Sequence, residues 1–418
     1  MPPAIATRTR GGSLLLLFSV SVFGLTGCSA ATRPMTTSAP RVLGQERGTP
    51  EVVGQPAPAG TGELGAVSCA DADHCWAVGV PGPNASTTTT TANPGARVTV
   101  IVATDDGGFT WTGQSVSLTP TPVLSGISCP SPADCMAVGS TGDIPGTGIV
   151  LVTSDGGTSW KQASVPTGAF VLTSVQCLSV TDCTAITSDG TNFWSAQTVD
   201  FGQTWVRDGN LPSGFEDARD LSCTAPAGVN VATNCLVAGY SPTSTGHGQG
   251  AIMLSGDGGE DWAAATVPSG LGVLQSVTCV NTSECLAVGT TSTTVSDVVP
   301  AKGELLLSTD GGQTWAPAPV DPPVNDIFGV DCPEPLVCAM VGTQWVGNSG
   351  IGTGAVAQSR DGGLSFAEST TAYVPLTLTA LSCPTPVGCI AVGGDTVARI
   401  SLPTLTPTGR ATRRGPPR

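Results

Sequence analysis

The residues of this chain whose types and spacing first suggest chemistry are its cysteines. There are fifteen, and fourteen fall into couplets: Cys69/Cys75, Cys129/Cys135, Cys177/Cys183, Cys223/Cys235, Cys279/Cys285, Cys332/Cys338 and Cys383/Cys389. Six couplets read C-x5-C; the fourth is stretched to C-x11-C. A zinc site would want C-x2-4-C spacing, usually with histidines, and the chain owns two histidines. A redox pair would be one exposed or strained couplet, whereas here seven equivalent copies recur. The spacing therefore predicts seven local disulfides, a chemistry that persists outside the cytoplasm.

The fifteenth cysteine, Cys28, stands apart. It follows Arg8 and Arg10 and an apolar run over residues 13–25, which is too short to span a bilayer and has the form of an export signal. The ending Leu25-Thr26-Gly27-Cys28 resembles a bacterial lipobox. That resemblance implies cleavage before Cys28, lipid on its sulfur, and a protein held on the extracytoplasmic side of the cell membrane. Export accounts for the disulfides and the anchor accounts for the odd cysteine.

Charge narrows the partners. The whole chain carries 16 basic and 31 acidic side chains, a net of -15, and removal of residues 1–27 takes away two arginines and no acid, leaving -17. Nucleic acid is excluded as an expected partner, because its recognition needs basic patches. The same argument sets aside anionic lipid, and leaves the membrane contacted through the lipid anchor only. The one basic stretch, "GRATRRGPPR" at residues 409–418, belongs to a short Pro/Gly-rich tail expected to be disordered.

The elements that must position the couplets are strands. With 55 glycines, 34 prolines and only 11% charged residues, and without sustained helical periodicity, the composition favours short strands joined by turns. First cysteines recur at intervals of 60, 48, 46, 56, 53 and 51 residues, a propeller-sized period. A second phrase recurs in step: "TDDGGFTW", "TSDGGTSW", "TVDFGQTW", "SGDGGEDW", "STDGGQTW" and "SRDGGLSF". Its aspartates are Asp106, Asp155, Asp200, Asp257, Asp310 and Asp361. An aspartate that accepts backbone N–H bonds, followed by a glycine free to take positive φ, makes a hairpin turn.

These six phrases resemble the Asp box, or BNR repeat, of sialidase-like propellers and of photosystem II assembly factors. The resemblance covers about 350 residues. It implies that the aspartates are structural, and that the following Trp packs between neighbouring sheets. Each unit then spells four strands. The couplet bridges the first two, one cysteine ending a strand and the other beginning the next, and the Asp box joins the last two. The expected architecture is all-β, a seven-bladed β-propeller of four-stranded antiparallel blades. The last unit lacks its fourth strand, and residues 50–60 align with the missing piece, so the ring is expected to close through an N-terminal strand. The domains read as a lipoprotein signal at 1–27, a linker at 28–48, the propeller at 49–403 and the tail at 404–418.

Alternating strand direction places couplets and Asp boxes on one face and the variable connections on the other, where recognition is expected. The residues there able to grip a partner are Arg219, Asp220, Tyr240 and Trp345, with Phe215, Glu216, Asp217, His247 and Asn348 beside them. "GFEDARD" at 214–220 reads as a solvated turn. A sialidase-like site would need three arginines, a tyrosine nucleophile and acids. The chain has two tyrosines, Tyr240 and Tyr373, and five arginines between residues 50 and 403. HExxH, GxSxG and phosphate-loop motifs are missing. The expectation is a monomeric, cofactor-free and metal-free binding or assembly module for an envelope protein or glycan, with a glycoside hydrolase or lectin as the alternative.

Overall fold

The computed structural model describes residues 50–81, 101–114, 116, 118, 122–141, 146–229, 231–242, 248–291, 302–345, 352–368 and 377–403. The signal segment, Cys28, His247, Asn348, Tyr373, Arg97 and the basic tail lie outside them. The described residues all belong to one compact unit, residues 46–418.

Among the described residues twenty-eight strands form seven sheets of four. β1 (Glu51–Pro56) comes first. The first blade is β2 (Thr61–Cys69), β3 (Cys75–Pro81), β4 (Ile101–Thr104) and β5 (Thr112–Gln114). The second is β6 (Val123–Ser128), β7 (Cys135–Ser140), β8 (Gly148–Thr153) and β9 (Lys161–Gln162). The third is β10 (Val171–Cys177), β11 (Cys183–Ser188), β12 (Phe193–Thr198) and β13 (Val206–Asn210). The fourth is β14 (Asp217–Thr224), β15 (Asn234–Pro242), β16 (Gly248–Ser255) and β17 (Ala263–Ala264). The fifth is β18 (Val273–Cys279), β19 (Cys285–Thr290), β20 (Gly303–Ser308) and β21 (Ala316–Pro317). The sixth is β22 (Asp326–Glu334), β23 (Val337–Trp345), β24 (Gly352–Ser359) and β25 (Ala367–Glu368). β26 (Ala380–Thr385), β27 (Gly388–Gly393) and β28 (Thr396–Ser401) make the seventh, whose outer strand is β1, paired with β28 from Glu51↔Ser401 to Pro56↔Thr396. The chain is a seven-bladed β-propeller closed by its own N-terminal strand.

Strand order in each sheet runs from an inner strand beside the axis outward. The second strands, such as Cys135–Ser140 and Cys285–Thr290, are almost wholly buried, so they read as continuous apolar runs rather than as alternation. Seven hydrophobic clusters hold the ring, and each joins two neighbouring blades. Trp160, Trp205, Trp262, Trp315 and Trp111 pack into five of them, and Phe366 into a sixth. Polar edges are satisfied against the preceding blade: Trp160 Nε1 donates to Gln114 Oε1 at 2.7 Å and Trp205 Nε1 to the Ser164 carbonyl at 2.9 Å.

All seven couplets are disulfides: Cys69–Cys75, Cys129–Cys135, Cys177–Cys183, Cys223–Cys235, Cys279–Cys285, Cys332–Cys338 and Cys383–Cys389. In the first, third and fifth blades the bonded cysteines end one strand and begin the next, as expected, and face each other as a register pair. The sixth and seventh blades depart from that expectation. Cys332 and Cys338 lie inside their strands, with Glu334↔Val337 pairing beyond them, and Cys383 and Cys389 lie inside theirs, with Thr385↔Gly388 beyond. The register slips between Asp331 and Glu334 and between Ser382 and Thr385, so neither couplet is a register pair, although the Cα atoms stay 4.1 Å and 4.0 Å apart. The cause is local. Elsewhere Asp71, Ser131, Ser179 and Asn281 accept amides two or three residues on and curl the loop. Glu334 and Thr385 hold that position here and pair across the hairpin instead.

The aspartate turns repeat one hydrogen-bond scheme. In the first, Asp106 Oδ1 accepts from the Thr110 amide at 2.9 Å and Oδ2 from its hydroxyl at 2.7 Å. The Thr104 hydroxyl donates to Asp106 and accepts from the Gly108 amide at 2.9 Å. Gly108 has φ of +89°, which is why the phrase repeats a glycine there. The turn also rests on the couplet loop of its own blade: Gly107 N–H donates to the Asp73 carbonyl at 3.0 Å, and Gly311 N–H to that of Ser283 at 2.8 Å.

Candidate functional site

The inner strand of a propeller blade has one unpaired edge, and what satisfies its N–H groups decides what the axis looks like. Here each inner strand carries a bulge near its start. The bulged residues are Gly65, Ser125, Thr173, Arg219, Gln275 and Phe328, with Thr379 in the corresponding place of the seventh blade. The extra residue pushes the preceding carbonyl over the second strand. A Cβ on Gly139 would lie 2.0 Å from the Val123 oxygen, and one on Gly289 2.1 Å from that of Val273. This is the reason for the glycine in the repeated "AVG". The third blade has Thr187 at that position, and its hydroxyl donates to the Val171 carbonyl at 2.7 Å instead.

All seven bulged residues line a central channel of about 300 Å³. Their chemistry is unequal. The Arg219 guanidinium is ion-paired with Asp217 Oδ2 at 2.8 Å, donates to Gln275 Oε1 at 2.6 Å and lies 5.9 Å from the Tyr240 ring centre. Thr173 and Gln275 flank it on the neighbouring blades, Phe328 supplies an apolar wall, and Gly65 leaves the first blade bare. The channel mouth on the variable end thus has a polar side, where Arg219 paired with Asp217 meets Gln275, and an apolar side chain, Phe328, beside it.

Deeper in, the residue before six of the seven first cysteines reaches to the next blade. Ser68 Oγ accepts from the Cys129 amide at 3.0 Å, Ser128 Oγ from Cys177 at 2.9 Å, Ser222 Oγ from Cys279 at 3.0 Å and Ser382 Oγ from Cys69 at 3.1 Å. Gln176 does the same for Cys223, and Asp331 Oδ2 for Cys383 at 2.7 Å. These contacts form a nearly complete ring of latches around the axis. Asp220 makes a second kind: Oδ2 accepts from Ser276 Oγ at 2.6 Å and from the Val277 amide at 3.0 Å, while Oδ1 accepts from the Leu221 amide at 2.9 Å.

Burial pushes the Asp220 carboxyl up, partly offset by those hydrogen bonds. Burial also pushes Asp331 up to about 6; the Cys383 and Cys332 amides work against that rise, and the charge of Asp220 adds to it. Both acids spend their acceptor oxygens on hydrogen bonds within the ring. Both line the channel, and through these bonds they hold neighbouring blades together.

The structure corrects the reading of "GFEDARD" as a solvated turn. Asp217, Arg219 and Asp220 lie in the inner strand β14, and Phe215 is buried in the core between the third and fourth blades, edge-on to Phe193 at 6.2 Å. Tyr240 lies in β15 directly across from Asp217. Trp345, at the end of β23, donates its indole N–H to Asp326 Oδ2 at 2.8 Å. The structure therefore brings Arg219, Asp217 and Tyr240 together at the channel mouth, while Trp345 stands on a different blade, the sixth. The connections between second and third strands, where recognition is expected, lie largely outside the described residues. The latch and bulge positions escaped the sequence reading, although Ser, Ser, Gln, Ser, Thr, Asp and Ser before the seven first cysteines are all hydrogen-bond acceptors.

Among the described residues no group of three or more His, Cys, Asp or Glu is placed to hold a metal ion, and no helix is long and apolar enough to cross a membrane.

Seven blades around a polar, latch-lined channel define the molecule as a disulfide-stapled β-propeller. No protein-family model matches the sequence, and no curated protein matches it. Solved structures do. YCF48 bound to a D1 peptide superposes with a TM-score of 0.58 at 18% identity, over 85% of this chain and 98% of that one. YCF48 from Cyanidioschyzon merolae gives 0.55 at 14%, over 84% and 98%. Virginiamycin B lyase from Staphylococcus aureus gives 0.57 at 10%, over 84% and 99%. At these identities the likeness is one of fold.

Proposed function

We propose that this protein is an exported lipoprotein, anchored through Cys28 on the extracytoplasmic side of the cell membrane, that works as a non-enzymatic scaffold. It holds a segment of another envelope protein at the variable end of the propeller, over the channel mouth. The observation that carries the reading is the cluster of Arg219, Gln275 and Tyr240 beside Phe328's wall: a guanidinium, an amide and an aromatic face set against an apolar side are what an extended peptide needs. The similar propeller YCF48, in its complex with a D1 peptide, gives a precedent for peptide binding on this fold.

The placement of the other arginines weighs against the glycosidase alternative. Arg207 stacks on Trp194 at 4.2 Å, Arg399 on Phe109 at 3.5 Å, and Arg360 donates to the Pro403 carbonyl. None of these three lines the channel with Arg219.

The test is capture of partners from detergent-solubilised envelopes with wild-type, Arg219→Ala and Tyr240→Ala protein, run beside a fluorogenic sialoside assay. The scaffold reading expects a bound protein that both variants lose at unchanged folding, and no turnover. Turnover that Tyr240→Phe abolishes would replace it with the glycosidase.

A further inference from the structure

Below the mouth, the inner strands leave part of their edge unsatisfied, and on one side of the channel only. Amides along a paired strand point alternately toward the partner strand and away from it. The residue two before each first cysteine therefore turns its N–H off its own sheet, as the cysteine itself does, and all seven residues in this position line the channel. Three of these amides have acceptors. Val277 N–H donates to Asp220 Oδ2 at 3.0 Å, Val330 N–H to Ser276 Oγ at 3.3 Å, and Leu221 N–H to Oδ1 of its neighbour Asp220 at 2.9 Å. The other four, on Leu381, Val67, Ile127 and Val175, have none among the described residues.

The cause is the residue that faces each amide from the preceding blade. Asp220 and Ser276 carry a side-chain acceptor there, whereas Gly329, Ala380, Ala66 and Gly126, which face the four bare amides, carry none. A Cβ on Gly126 would stand 3.3 Å from the Val175 nitrogen, so the facing is direct. Ser174 holds the same position in the third blade, but the Leu221 amide that it would take is bound to Asp220. Its Oγ is left without a partner in a residue only 7% exposed that lines the channel.

The seventh, first, second and third blades are consecutive around the closed ring, so the four amides and the Ser174 hydroxyl make one arc of hydrogen-bond donors. Buried backbone amides almost always have an acceptor, from protein or from a bound molecule. The opposite arc is acidic. Asp220 and Asp331 both keep part of their surface on the channel, and the charge of Asp220 raises Asp331. Among the described residues no cationic side chain is ion-paired with either. A carboxylate has about four acceptor sites. Asp220 uses three and Asp331 two, so each can take a further donor.

An anion alone would meet two carboxylates across the channel, and a cation alone would leave the amides bare. A molecule with a carboxylate at one end and an ammonium at the other answers both arcs. We propose that the channel binds a free amino acid as its zwitterion, with the carboxylate on the arc of amides beside Ser174 and the ammonium between Asp220 and Asp331. The channel volume of about 300 Å³ is at the small end of ligand pockets and suits one such molecule. This site is distinct from the Arg219 and Tyr240 cluster at the mouth and does not rest on the scaffold reading.

The test is equilibrium dialysis of the detergent-solubilised full chain against a mixture of the common protein amino acids, read by mass spectrometry, with acetate and ethylamine as the two half-ligands. Wild-type protein should enrich at least one amino acid, and either half-ligand should bind about tenfold more weakly or worse. Ala66→Ser and Ala380→Ser give the Ile127 and Val67 amides the hydroxyl that Ser276 gives Val330. Each should leave the ligand-free melting temperature unchanged or higher while weakening amino-acid binding about tenfold. Asp331→Asn should weaken amino-acid binding as much and leave acetate binding no weaker, which reads the acidic arc should a serine variant melt early. Enrichment of no amino acid would overturn the proposal and leave the channel to water. A half-ligand that binds as tightly as the amino acid would overturn it too, as would amino-acid binding that all three variants leave intact.

Discussion

The amide of Cys69 donates to the hydroxyl of Ser382 at 3.1 Å across 313 residues of sequence, and this bond joins the first blade to the last. It repeats, at the seam, the latch that Ser68 makes to Cys129 between the first two blades. The seam is thus built like any other blade junction, with β1 supplying the strand that the C-terminal repeat lacks.

Closure gives the first expectation. Deleting residues 49–60 removes the partner of β28 and exposes its edge, so the whole ring should melt earlier and aggregate more readily. Val52, 4% exposed in the core between the sixth and seventh blades, makes a milder version. Val52→Ala should cost about 2 kcal/mol in denaturant unfolding. An unchanged midpoint for the deletion would mean that the ring closes without β1.

Most of the fold was legible in the sequence because the repeats carry their own physics. The couplets mark the first hairpin and the aspartate phrases the last, and "PEVVGQPAPAG" matched the fourth strand missing from the seventh unit. What was not legible depended on partners elsewhere in the chain. Arg219 and Asp220 read as a solvated turn because charge is the usual mark of one. In the fold a bulge turns Arg219 into the channel, and the Val277 amide of the fifth blade solvates Asp220. The spacing of Cys332 from Cys338 and of Cys383 from Cys389 matches that of the other C-x5-C couplets, so it gave the disulfides but not the hairpins that run past them. Leu336 gave no signal either, since its positive φ appears only once Glu334 and Val337 pair.

The disulfides should differ in worth. Chain entropy gives about 2.4 kcal/mol for a couplet six residues apart and about 2.9 kcal/mol for Cys223–Cys235, twelve apart. Paired Cys→Ser variants, unfolded in urea, should follow that order. Thiol counting on denatured, unreduced protein should find none of the fourteen couplet cysteines reactive, and two or more free thiols would contradict the pairing.

Stability should peak in mildly acid solution. The Asp331 carboxyl is pushed up to about 6 by burial, and that of Asp208 to about 6 by burial and the charges of Glu260 and Asp257. Both therefore favour folding most below their ordinary 3.8, and lose that contribution as pH rises through about 6. In the opposite sense, hydrogen bonds from Thr110, Ser159 and Thr314 hold Asp106, Asp155 and Asp310 down at about 2. Their contribution is present above 3.8 and is lost as pH falls toward about 2. Melting temperature should rise from pH 7 to about pH 5 and fall steeply below about pH 3. Asp331→Asn, which keeps one acceptor oxygen for Cys383, should flatten the upper limb. A profile that rises steadily from pH 4 to 7 would contradict the assignment.

Membrane attachment tests the anchor. Cys28→Ala should release most of the protein from washed membranes. Full retention of Cys28→Ala through washing at high salt would refute the lipid anchor as the main tether.

That the channel mouth holds a protein partner is tested most directly by photo-crosslinking from both ends of the disc in intact membranes. A photo-reactive phenylalanine analogue is placed at position 240, beside the channel mouth, and in a second sample at position 387, on the hairpin tip. The scaffold reading predicts a discrete protein adduct from position 240 and none from position 387. A protein adduct from 387 with none from 240 would contradict it.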